Sequence, residues 1–71
     1  MITPKEAERL ANQTITDYVN ACACDSNENV ANVLMKLASM CGLAMCATVG
    51  QEEAVARMIG TANYIANQEQ H

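Results

Sequence analysis

Four cysteines, one histidine and eight carboxylates are the residues of this 71-residue chain best suited to chemistry. Cys22, Cys24, Cys41 and Cys46 invite a zinc site or a disulfide framework, because thiolates two to four residues apart on a turn converge on a tetrahedral ion. Their spacing argues against both. Cys41 and Cys46, five apart on a predicted helix, project about 140° away from one another. A short turn after Cys24 sets Cys22 near Val30, and eleven helical residues, about 16 Å, then separate it from Cys41, beyond the range a disulfide bridges. The expectation is four small thiols buried as hydrophobes in a reducing cytoplasm, with Cys24, beside the turn, the one thiol open to reaction. No metal and no cofactor is expected.

The single histidine, His71, is the last residue, where no neighbouring element holds it, whereas general acid and base catalysis needs a group positioned in a pocket. The carboxylates fall on polar helix faces and at helix ends, where solvation and capping account for them. Ser39 and Thr48 have no predicted base beside them. The chain therefore reads as a non-enzyme. Nucleic acid is disfavoured as a partner: Lys5, Arg9, Lys36 and Arg57 are the only basic residues, they are scattered, and the formal net charge is −4, while phosphate neutralisation needs clustered positive charge. The acidity reads as ordinary solubility, with small acidic patches at Glu6 and Glu8, or at Glu52 and Glu53, as faces for a basic partner.

The elements that must position these groups are helices. Thr3-Pro4-Lys5-Glu6 is a start signal, with Thr3 as cap, Pro4 at the first helical position and Glu6 returning a capping-box bond. Ala7, Leu10, Ala11, Thr14, Ile15, Tyr18, Val19 and Cys22 follow as an apolar side. The run Asp25-Ser26-Asn27-Glu28-Asn29 favours a turn and a new cap at Ser26 or Asn27, and so short a connection makes the first two helices antiparallel neighbours, with Ile15 near Leu37. Gly50 predicts a break between a second and a third helix, and Glu52 and Glu53 then sit favourably in a first turn, with Glu53 spaced to pair with Arg57. Against the break, a heptad continues through the glycine in two columns, Ala44, Gln51, Met58, Ile65 and Thr48, Val55, Ala62. The expectation is one all-α domain, an antiparallel hairpin plus a third helix, over about residues 4–24, 27–48 and 51–67.

Residues 30–49 dominate this arrangement, because Lys36 is their only charge. Val30, Leu34, Leu37, Cys41, Ala44 and Thr48 form a seam for a neighbouring helix. The opposite stripe begins polar with Asn29, Asn32, Lys36 and Ser39 but continues as Leu43, Cys46 and Ala47, so the half over residues 40–49 needs cover on more than one side. Seventy-one residues bury only about 60% of their unfolded surface alone. Twelve residues are Ala, none is Phe or Trp, and the interior must be thin. Met35, Met40, Met45 and Met58, spiralling rather than lining one groove, read as gap-fillers. With disulfides and metal set aside, self-association supplies the missing buried area, and Met40, Leu43, Cys46 and Ala47 are the expected interface of a homodimer or higher symmetric assembly. Residues 37–49 give only thirteen uncharged positions in a row where a membrane span needs about twenty apolar ones, and the start Met1-Ile2-Thr3 lacks the features of a secretory signal. Neither membrane insertion nor export is expected, and the location expected is the cytoplasm.

By elimination, and from the need for a partner, the functional expectation is a non-catalytic protein-binding module, of the kind of small inhibitor or adaptor that viruses direct at host complexes, whose protein partner the sequence does not name. Two alternatives belong to other classes. One is a small-ligand binder with its site between subunits, where Tyr18, Arg57, Asn63 and Tyr64 supply polar groups. The other is a self-assembling structural component.

Overall fold

The computed structural model describes residues 1–68 and shows three α-helices, with no strand among the described residues. They are α1 (Pro4–Ala21), α2 (Asn27–Val49) and α3 (Gln51–Ala66). The chain divides into two compact units, Met1–Leu37 and Ala38–His71, and α2 contributes to both.

In the first unit the Thr3 hydroxyl accepts the Glu6 N–H at 3.2 Å and so caps α1, with Pro4 at its first turn. The helix stops at Ala21, short of the expected residue 24, because Ala23 takes a left-handed backbone (φ 54°) that no helix continues through. Its N–H bonds the Asn20 carbonyl at 3.2 Å while the Cys22 N–H is shared between Tyr18 and Val19 carbonyls, which satisfies acceptors a helix end leaves open. Glycine is the usual occupant of such a position. Ser26 opens α2: its hydroxyl accepts the Asn29 N–H at 3.1 Å and its carbonyl the Val30 N–H at 3.0 Å. Tyr18, Val19, Val30, Val33, Leu34 and Leu37 are half-buried. The Tyr18 hydroxyl donates to the Val33 carbonyl at 2.8 Å, a bond from α1 to α2 across fifteen positions of sequence.

In the second unit one residue, Gly50, joins the end of α2 to α3. Its φ of 91° lies where a side chain is strained, its N–H closes on the Cys46 carbonyl at 3.1 Å, and its own carbonyl accepts the Ala54 N–H at 3.0 Å. The helix therefore breaks here although the apolar heptad runs on, since a residue free of a Cβ takes this torsion at little cost. Ala54 is the only residue buried among those described, at 1% exposure. Around it Gly42, Met45, Cys46 and Met58 are half-buried. The Met58 side chain lies over Gly42, where a Cβ would sit in ordinary contact at 3.7 Å from its terminal methyl carbon.

The expected seam on α2 is thus half right. Val30, Leu34 and Leu37 are partly covered, but Cys41, Ala44 and Thr48 are exposed, and Gly42, Met45 and Cys46 take their place. The turn at Gly50 decides this, because it brings Ala54 and Met58 of α3 against that set rather than the other. Among the methionines expected to fill gaps, Met45 and Met58 do so, whereas Met35 and Met40 are exposed.

Candidate interaction surface

Apolar side chains that lie open to water define the surface most suited to contact. In the second unit Ser39, Gly42, Leu43 and Cys46 of α2 face Ala54, Val55, Met58 and Ile59 of α3 across a groove of about 420 Å³. Positions 39, 42, 43 and 46 recur at helical spacing along α2, as do 54, 55, 58 and 59 along α3, so each helix lends one stripe. The floor is small or thin, at Gly42 and Ala54. The rims are large and wet: Leu43 is 62% exposed, Ile59 57% and Val55 47%. No charged residue lines it. Apolar area of this kind, contiguous and uncharged, is what macromolecular contact sites present.

The four residues singled out from sequence as an interface belong to this unit. Leu43 and Cys46 line the groove, Cys46 half-buried, and Met40 and Ala47 are exposed on the same helix. The α3 half of the groove, Val55, Met58 and Ile59, was not foreseen. A signal was present in the pairs 54, 55 and 58, 59, which repeat at a spacing of four; the heptad columns through Gly50 include Val55 and Met58 but not Ala54 or Ile59.

The residues named as polar contacts for a ligand between subunits fall in both units of the chain. Tyr18 is in the first unit, its hydroxyl given to Val33. Partial burial raises the Tyr18 phenol above its ordinary range, and the neighbouring thiols Cys22 and Cys24 push the same way. Arg57 lies on α3 in the second unit, its Nε donating to Glu53 at 2.9 Å in the pair expected from their spacing. Asn63 and Tyr64 are exposed on the same helix. His71 lies outside the described residues.

The thiols depart from expectation. Cys22 and Cys41 are exposed, Cys24 and Cys46 are intermediate, and none is buried. Two helices per unit leave too few neighbours to enclose them, and Cys24, expected to be the open thiol, is less exposed than Cys22 and Cys41. Among the described residues no three of Cys, His, Asp and Glu stand together as ion ligands would. A second depression, of about 440 Å³, runs along one face of α1 beside Thr3, Lys5, Glu6, Glu8, Arg9 and Asn12. Glu6, on which the basic-partner expectation partly rested, is there salt-bridged to Arg9.

At 23 residues, α2 is long and apolar enough to cross a membrane by length and composition, and none of the residues counted in that stretch is buried. This is a broader stretch than the thirteen uncharged positions counted from the sequence, because it runs past Lys36 toward the start of the helix.

Over the described residues the chain is all-α, with an open apolar groove between α2 and α3. No protein-family model matches the chain, and searches of curated proteins and of solved structures gave no significant match.

Proposed function

We propose that this chain is a non-catalytic, self-associating protein-binding module, acting as a small inhibitor or adaptor by occupying a surface of another macromolecule. One observation carries the reading: the groove between α2 and α3 is uncharged, and Leu43, Val55 and Ile59 on its rims stay about half exposed or more. Leaving them in water forgoes stabilisation that contact would return. Covering them with another copy completes the thin core from outside, the route open to chains this short. Sedimentation velocity over a dilution series tests the reading. A concentration-dependent pair is the expected result, and a monomer that keeps its helical signal at every concentration overturns it.

A second reading, that α2 spans a bilayer, draws on its length and on the lack of buried residues in it. Lys36 lies near the middle of that helix, where a cation in hydrocarbon costs about 2.5–3.5 kcal/mol on insertion scales, and Asn29, Asn32 and Ser39 add polar groups. We favour the soluble module for that reason. Flotation with phosphatidylcholine liposomes separates the two, since a spanning helix floats with the vesicles and the soluble module stays in the dense fraction.

A further inference from the structure

Cys22 and Cys24 stand on either side of Ala23, at the joint between α1 and α2. The distance that keeps Cys22 from Cys41 does not bear on this pair. Cys22 is the C-cap of α1, one turn beyond Tyr18 and so on the same stripe of the helix. Had the helix continued, Cys24 would lie about 200° around its axis from Cys22, on the opposite side. It does not: α1 ends at Ala21, Ala23 takes a φ of 54°, and both thiols are neighbours of the one Tyr18 phenol. That phenol is held in turn, since its hydroxyl donates to the Val33 carbonyl of α2 at 2.8 Å. Two thiols that share a held neighbour share a side of the joint.

Their separation along the chain suits a bond. Steps of about 3.8 Å between successive Cα atoms, folded at one compact left-handed residue, leave the flanking Cα atoms about 5.5 Å apart, inside the range a disulfide spans. The two thiols also differ in access, Cys22 being exposed and Cys24 intermediate. Thiol–disulfide exchange uses such a difference, because an incoming disulfide meets the open thiolate first and the sheltered one is left to resolve the adduct.

We propose that Cys22 and Cys24 are a redox pair that closes to a disulfide by exchange with a small-molecule disulfide such as oxidised glutathione, and so locks the joint between α1 and α2. The Cys22 thiolate attacks one glutathione sulfur, forming a mixed disulfide and releasing one glutathione thiolate. The Cys24 thiolate then attacks the Cys22 sulfur, forming the internal bond and releasing the second glutathione thiolate. Two electrons pass from the protein to the glutathione disulfide, and the protons given up by the two thiols end on the two glutathiones. A ring closed over a single residue constrains little of the unfolded chain, so excess reduced glutathione reverses the bond, which acts as a signal rather than as a staple.

The test equilibrates the full chain with glutathione buffers of increasing oxidised fraction, quenches by alkylation and maps the thiols by tryptic mass spectrometry. Between Arg9 and Lys36 the only thiols are Cys22 and Cys24, so the peptide over residues 10–36 reports this pair alone. That peptide is expected to lose two hydrogens. Half-closure in native buffer is expected to need a mixture less oxidising than in urea by about tenfold or more, because the folded joint already holds the pair while the unfolded chain must first order it. In Cys24→Ser the mixed disulfide with glutathione is expected to persist on Cys22, with circular dichroism confirming that the helices are kept. A native wild-type peptide that carries glutathione without the internal bond overturns the proposal. So does closure equally easy in urea, which would make the pair a property of the local sequence and not of the fold, and so does bonding of either thiol to a second chain in its place.

Discussion

Leu43→Ala weighs the exposed apolar surface directly. Fully burying a leucine is worth about 1.5–3 kcal/mol. Leu43 is 62% exposed, so its own chain realises only the smaller part, and about 1–2 kcal/mol remains to be gained when a neighbour covers it. In a symmetric pair the truncation is felt twice, for about 2–4 kcal/mol, which is about thirtyfold to about seven-hundredfold in Kd at 1.4 kcal/mol per factor of ten. The stability of the separated chain should fall by only about 0.5–1 kcal/mol, the share already buried. Sedimentation velocity gives the first quantity, and urea unfolding at concentrations below the dissociation constant gives the second. An affinity changed less than threefold, or a separated chain that loses more stability than the pair, refutes the reasoning, because either places Leu43 outside the contact.

Three further outcomes follow from the geometry. Gly50→Ala forces a side chain onto a φ of 91° with ψ 160°, a region almost confined to glycine, and should destabilise the protein by about 1–3 kcal/mol; an unchanged urea midpoint would show that the turn is not held at that torsion. Tyr18→Phe removes the donor to Val33 and should lower stability by about one ordinary hydrogen bond. Because the phenol is raised in the folded state, its contribution is present below the usual tyrosine value near 10 and is lost as pH rises through the higher folded value, so the alkaline decline of the wild type should be shallower in Tyr18→Phe. In native alkylation read by mass spectrometry, Cys22 and Cys41 should be modified before Cys24 and Cys46, matching their exposure; fastest modification of Cys24 would contradict that order.

The local features were the legible ones. The Thr3 cap, the cap at Ser26, the Glu53 and Arg57 pair and the break at Gly50 each depend on residues within four positions of one another, where side-chain type nearly decides geometry, whereas the Glu6 carboxylate expected to return a bond to Thr3 is paired with Arg9 instead. What escaped was set by direction in space. Cys41, Ala44 and Thr48 fit an ideal seam by periodicity, yet the exit angle at Gly50 selects Gly42, Met45 and Cys46 instead, and no spacing rule within α2 encodes that angle. The thiols were misjudged for a related reason: cysteine is usually buried, but burial needs neighbours on several sides, and a unit of two helices offers one. Of the residues expected at an interface, Leu43 and Cys46 line the groove on α2 and Met40 and Ala47 do not. The α3 half depended on which face of α3 the turn would present.

The single-residue joint at Gly50 and the short run from Cys22 to Ser26 also bear on how the chain reaches this form. Nearly every contact described links residues close in sequence, so little loop entropy is spent before packing begins to repay it. Such a chain should collapse into helices within microseconds to milliseconds yet hold them weakly, quick to form and quick to open. If copies pair as proposed, persistence would be conferred by encounter rather than by synthesis, and the lifetime of the folded molecule would track its concentration.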